Sequence, residues 1–287
     1  MKTRISTDAR PQAATLLIAA ALSITLWFIP FAEILTYPFR IFVTFIHEGG
    51  HAIAALLTGN SVASLSVAMN ASGETYTTQG GRWAQMFVAS AGYLGAMAYG
   101  ALLLVLIRRA VAARLVLAGS AVVILALTLI FGLIKPLMSG VSGALAGVPF
   151  TLLAGVLLSA GLYGVARFTK PRVAMFLVSL LAVQCVLNAL LDLKTVFFLS
   201  SPFAPSVPTD AVNMANATGL PALLWAVVWI GAALTILVLA MRFYVVRRSK
   251  LLQPDISFPE LPVIEIPRNL VSGSPAAINQ SSKSQSG

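Results

Sequence analysis

The two histidines of this chain stand four residues apart, in His47-Glu48-Gly49-Gly50-His51. On a helix, positions i and i+4 share a face, so both imidazoles can reach one metal ion. A glutamate beside the first histidine is placed to take a proton from water that the metal has acidified. These residue types point to metal-assisted hydrolysis. Chance is a weak rival, because this spacing with an adjoining Glu arises roughly once in ten thousand random arrangements of the same residues. An ionisable cluster inside an apolar segment is also costly to keep without a function.

A catalytic zinc usually has three protein ligands and one open position. With no third histidine, the remaining ligand must be a carboxylate or Cys185, the one cysteine. The chain has nine acidic residues. Asp8, Asp255, Glu260 and Glu265 lie in terminal regions, Glu33 in the first apolar segment and Glu74 in a polar loop. Asp192 and Asp210 remain. Asp192 is the stronger candidate, because Gln184, Asn188, Asp192 and Thr195 recur at helical spacing as one polar stripe on an apolar helix. Asn188, one turn before Asp192, would then orient the ligand or the substrate. The alternative use of the stripe is as hydrogen-bonding glue between helices. Asp210 is the alternative ligand. Cys185 reads as a small buried apolar residue.

The elements that must hold these groups are membrane elements. Of 287 residues, 58% are hydrophobic and 10% charged, against about 25% charged in soluble domains. Seven apolar segments stand out, at about 13–36, 39–58, 83–107, 112–134, 142–166, 173–198 and 219–245. The stretch 59–82 is polar and alternating, as a short β-hairpin would be. The stretch 199–218 holds Pro202, Pro205 and Pro208 and reads as an irregular connection. The expected architecture is an all-α polytopic membrane protein. It has about six to seven transmembrane helices and a short β-like hairpin after the metal-binding helix. Its parts are a basic N-terminal segment 1–12, one transmembrane domain 13–248 and a disordered tail 249–287, rich in Pro, Ser, Asn and Gln.

The net charge of +10 does not indicate nucleic acid, because the basic residues cluster in short loops and flanks. Arg108, Arg109 and Arg114 form one group; Arg167, Lys170 and Arg172 a second; Arg242, Arg247, Arg248 and Lys250 a third. This is the positive-inside pattern, with anionic lipid as the counter-surface and a cytoplasmic C-terminus. Counting seven spans back from there puts the N-terminus outside, whereas Lys2, Arg4 and Arg10 favour inside. Pro30, Pro38 and Arg40 make a broken or half-crossing helix the natural reconciliation. Gly49 and Gly50 each cost about 1 kcal/mol against Ala within a helix. They serve either close helix packing or room for a substrate backbone. Gly92 and Tyr93 read as helix packing, with a site role as the alternative, and Trp225 and Trp229 as packing or interfacial anchors.

Four patches resemble the site-2-protease-like intramembrane zinc metalloproteases, in a less characterised bacterial and fungal branch. They are Phe45-Ile46-His47-Glu48-Gly49-Gly50-His51-Ala52; Gly80-Gly81 followed by Ser90-Ala91-Gly92-Tyr93-Leu94-Gly95; Asn188 to Asp192; and Thr209-Asp210-Ala211 with Trp225 and Trp229 downstream. The resemblance implies Zn2+ on His47 and His51, Glu48 as general base, and a later carboxylate, at the position of Asp192, completing the site. It also implies that 59–82 is a membrane-embedded strand region presenting an unfolded substrate. Better-known members lead into Leu-Asp-Gly through an Asn-Pro-rich stretch, where this chain has Leu191-Asp192-Leu193. The expected activity is hydrolysis of a peptide bond of a membrane-protein substrate, in or near the bilayer of the cell membrane. The rival is a non-catalytic metal-binding scaffold or a transporter. Oligomeric state is not legible.

Overall fold

The computed structural model describes residues 10–245 except 27, 79, 110–111, 140–144, 202 and 204–206. The expected basic segment 1–12 lies largely outside the described residues, and the tail 249–287 entirely so. Helix α1 (Arg10–Leu26) leads through a turn to α2 (Glu33–Leu57), which carries the His-Glu-Gly-Gly-His motif. Strands β1 (Val62–Val67) and β2 (Gly73–Thr77) follow, then α3 (Arg82–Arg108). Helix α4 (Ala113–Leu129) continues through a π turn at Ile130–Ile134 into α5 (Lys135–Ser139). The chain closes with α6 (Val148–Phe168), α7 (Pro171–Leu199), α8 (Asp210–Thr218) and α9 (Ala222–Val245).

Five helices are long and apolar enough to cross a bilayer: α3, the α4–α5 unit Ala113–Ser139, α6, α7 and Ala222–Tyr244 of α9. A span needs about 20 apolar residues. The first two helices depart from that pattern for different reasons. Helix α1 has 17 residues and reaches about 25 Å at 1.5 Å per residue, short of a hydrocarbon core of about 30 Å. Helix α2 has 25 residues but carries Arg40, His47, Glu48 and His51. Its buried side, with Phe42, Phe45, Ile46, Gly49 and Ala52, recurs at helical spacing and faces the bundle.

Small residues bring these helices close. On α3, Gly100 leaves room for Cys185 and Val186 of α7, each about 3.0 Å from where a Cβ would stand. Gly155 of α6 packs directly on Thr128 of α4. Close backbone approach of this kind is how helices associate where lipid removes the hydrophobic driving force. Cys185 is fully buried.

The expected hairpin is present. β1 and β2 pair antiparallel, with Leu65 opposite Thr75 and Val67 opposite Gly73, and an irregularity between Val62 and Ser64. Its turn is tied to α2, where Tyr37 Oη donates to the Met69 carbonyl at 2.7 Å and Thr44 Oγ1 to that of Ala71 at 2.7 Å. The outer side of β1 is covered, with the Val67 N–H donating to Thr151 Oγ1 of α6 at 2.9 Å. Among the described residues, the outer edge of β2 has no strand beside it.

One expectation is corrected. The stretch 199–218, read as irregular, ends in helix α8. Thr209 caps its N-terminus by accepting from the Val212 N–H at 3.3 Å, and Gly219 closes it in the left-handed conformation, φ 77°. Both are ordinary helix boundary signals.

Candidate metal centre

Helix α2 turns both imidazoles to one point. The two Nε2 atoms stand 3.1 Å apart. Asp210 Oδ2, at the first turn of α8, is 3.5 Å from His47 Nε2 and 3.3 Å from His51 Nε2. Nδ1 of His51 lies 2.7 Å from the Val88 carbonyl of α3. A carbonyl accepts only, so Nδ1 carries the proton and Nε2 keeps its lone pair for the centre of the site. Ligands about 2.0–2.1 Å from a tetrahedral zinc stand about 3.3–3.4 Å from one another. The three edges of this triangle are of that size, and the donor set of two neutral imidazoles and a carboxylate suits zinc.

The neighbouring carboxylate is held by the hairpin. Glu48 is buried, and its Oε2 accepts from Thr75 Oγ1 at 2.7 Å. A Cβ on Gly73, two residues earlier on the same face of β2, would stand 2.5 Å from Glu48 Oε1. Glycine there leaves the second carboxylate oxygen open. The strand thus supplies one donor to Glu48 and withholds one side chain.

Helix α3 forms the opposite wall. A Cβ on Gly92 would run into Nε2 of both His47 and His51, so glycine is what lets α3 approach the imidazoles. The Tyr93 ring meets the His47 ring edge-on with centroids 4.6 Å apart and packs on Trp229 at 5.6 Å. Trp229 Nε1 donates to Ser90 Oγ at 3.1 Å. Gly92 and Tyr93, read first as helix packing with a site role as the alternative, both border a histidine. Trp229 is buried, while Trp225 donates to Thr218 Oγ1 at 3.0 Å and holds α8 to α9. Gly50 abuts the α3 backbone at Ala91 and Gly92, and Gly49 faces Leu127 of α4. Both glycines of the motif serve packing.

The structure brings Asp210, not Asp192, to the two histidines. Asp210 joins the histidines, with ligand atoms of all three residues within 4.8 Å of one another. Asp192 lies on the wall of the same cavity, outside that group. The polar stripe of α7 divides. Thr195 and Asp192 face the cavity, whereas Asn188 Nδ2 donates to Gln184 Oε1 at 3.0 Å and Gln184 Nε2 to Ser23 Oγ of α1 at 3.1 Å. Gln184 ties α7 to α1, Asn188 bonds to Gln184 within α7, and Asn188 does not line the cavity. Helical periodicity identifies a polar face and cannot tell which part of it meets a cavity and which part a neighbouring helix.

The cavity has a volume of about 900 Å³. Its charged lining consists of Glu48, Glu74, Asp192 and Asp210; among the described residues no Lys or Arg reaches it. A bundle of membrane-length helices enclosing a polar cavity, with two imidazoles and a carboxylate converging beside a buried glutamate, defines a membrane metallopeptidase type of site. Residues 15–240 match the Peptidase M50B-like family, and the chain belongs to it. It is an integral membrane protein of a metallopeptidase family. Comparison with curated proteins and with solved structures gave no match.

Proposed function

We propose that the protein is a zinc-dependent intramembrane peptidase in which His47, His51 and Asp210 hold the ion and Glu48 is the general base. The observation that carries this reading is the convergence of both Nε2 atoms and Asp210 Oδ2 beside a buried glutamate with one oxygen free. When bound, zinc supplies Lewis-acid polarisation of a carbonyl and acidifies water near neutral pH. Glu48 takes the proton of the attacking water and delivers it to the nitrogen of the leaving amine. Thr75 holds the Glu48 carboxylate in one rotamer through its hydroxyl.

A transmembrane substrate hides its peptide bonds in its own helical hydrogen bonds, so it must enter as an extended segment. The outer edge of β2 borders the cavity, and we assign it to pair with that segment as an added strand. The substrate is then a membrane protein and the working environment the cell membrane, with lipid around the apolar helices.

The test compares cells making wild type with cells making Glu48→Gln, mapping the new N-termini of membrane-protein fragments. Termini present only with wild type, while both purified proteins hold equal zinc, support the peptidase. Equal fragment patterns in the two would overturn it and leave a metal-binding scaffold or transporter.

A further inference from the structure

Tyr93 of α3 touches the metal-binding face of α2 on one side and α9 on the other. Its ring is buried, edge-on to His47, with planes 74° apart and centroids at 4.6 Å. Trp229 of α9 backs it at 5.6 Å. Trp229 is itself fixed, because its indole N–H is tied to Ser90 Oγ at 3.1 Å, about one turn before Tyr93 on α3. The Ser90 hydroxyl in turn donates to the Met86 carbonyl at 2.9 Å. The phenol ring is therefore clamped between an anchored indole and an imidazole. Tyr93 also lines the cavity, with its hydroxyl directed to the Asp210 carboxylate.

The two histidines are held in different ways. A metal-binding imidazole is commonly fixed by a hydrogen bond from its other ring nitrogen to a carbonyl or carboxylate. His51 has that bond, from Nδ1 to the Val88 carbonyl at 2.7 Å. Among the described residues His47 has none, since its hydrogen-bond and ion-pair partners, His51 and Asp210, are both at Nε2. The Tyr93 ring lies against His47 where no such bond restrains it. Asp210 has a similar need. It arrives on a helix of nine residues, and its Oδ2 is the oxygen that reaches the imidazoles. An ionised carboxylate only accepts, so a phenol O–H beside it is the donor and restrains its rotation.

We propose that Tyr93 is a positioning residue of the metal site: its ring fixes the rotation of His47 and its hydroxyl fixes the carboxylate of Asp210. This rests on the zinc reading above and adds to it a residue that is not a ligand. Helix α9, which supplies no ligand either, then acts on the site through Trp229.

The test uses the purified full-length chain. It measures zinc affinity against a graded chelator, and the visible absorption of Co2+ in place of zinc, which reports ligand geometry. Tyr93→Phe keeps the ring and loses the hydroxyl; Tyr93→Met keeps much of the bulk and loses the ring as well. Tyr99→Phe is the control for a lost hydroxyl on the same helix, because Tyr99 bonds Ser120 Oγ at 2.7 Å and does not line the cavity. Loss of an outer-shell partner costs about 10–100-fold in metal affinity. Tyr93→Phe should weaken zinc binding about 10-fold and Tyr93→Met about 100-fold, both with an altered Co2+ spectrum, and Tyr99→Phe should match wild type in both measurements. Wild-type affinity and spectrum in Tyr93→Phe overturn the inference, as does an equal change in Tyr93→Phe and Tyr99→Phe. Equal affinities of Tyr93→Phe and Tyr93→Met overturn the part assigned to the ring. Should Tyr93→Met fail to fold, the pair Tyr93→Phe and Asp210→Asn decides. With Asp210→Asn already present, Tyr93→Phe should weaken zinc binding no further, and a fully additive loss overturns the inference. The readings fail separately. A wild type that takes up neither zinc nor Co2+ removes the metal site itself. A wild type that binds both, with Tyr93→Phe unchanged, removes only the role of Tyr93. A weakened Tyr93→Phe without any Glu48-dependent fragments removes only the peptidase.

Discussion

On the proposed function the third ligand is Asp210, and single atom pairs argue for it. Asp210 Oδ2 reaches both imidazoles; the Asp192 carboxylate belongs to the cavity wall. Asp210→Asn should therefore lower zinc affinity by more than the roughly 10–100-fold that loss of an outer-shell partner costs, whereas Asp192→Asn should retain zinc. Metal analysis of the purified variants after dialysis against a graded chelator checks both, and equal retention by the two would remove Asp210 from the site. Gly92→Ala is a second residue-scale case. Its Cβ would occupy the space of two imidazole nitrogens, so zinc should be lost while the variant still purifies as a folded protein with wild-type helix content by circular dichroism. Much of this scale was legible in sequence. His47, Glu48 and His51 follow from spacing alone, and the scarcity of acids narrows the third ligand to two. The choice between Asp192 and Asp210 was not legible, because it depends on where α8 folds back, and no periodicity records that.

At the scale of elements, the hairpin does two separate jobs. One face of β2 touches Glu48 through Thr75 and Gly73, and the outer edge of the same strand borders the cavity. Adjacent ladder bonds run from Thr78 N–H to Ser61 and from Ala68 N–H to Ser72, so by alternation the Thr77 N–H points to the open edge. Proline is tolerated on an edge whose N–H is not in the ladder. Thr77→Pro should cut the yield of Glu48-dependent fragments about 10-fold, as expected for one lost strand hydrogen bond to a substrate, with zinc content unchanged. Unchanged fragment yield would take the strand edge out of substrate capture. The hairpin itself was legible from the polar alternation of 59–82. Helix α8 was missed although Thr209 and Gly219 mark its ends, because the prolines before it drew the whole stretch into one loop. The first two helices carried a real conflict between span counting and basic residues, and neither α1 nor α2 is among the five helices long and apolar enough to cross a bilayer.

For the whole molecule, a metal held at the proposed site would tie distant parts of the chain together. His47 and His51 come from α2, His51 is held by α3 through Val88, and Asp210 arrives on α8. A ligand bound only by the folded state stabilises it by about 2.7 kcal/mol at 100 times its dissociation constant. Zinc should thus raise the thermal unfolding midpoint of purified wild type and of Glu48→Gln alike, and chelator should lower it, while His47→Ala should respond to neither. A midpoint that is blind to zinc in the wild type would mean that the three side chains do not act as one site.

Asp210 also sets a clock. The ribosome has made both histidines by residue 51, yet the carboxylate that faces them comes 159 positions later in the numbering (210 − 51). At about 5–20 residues per second, the nascent chain spends about 8–30 s in the membrane with a histidine pair and no partner for it. On the proposed function, activity would be a property of the finished chain. A stalled or truncated product lacking α8 should then be inert, which would spare the cell a half-made protease during insertion.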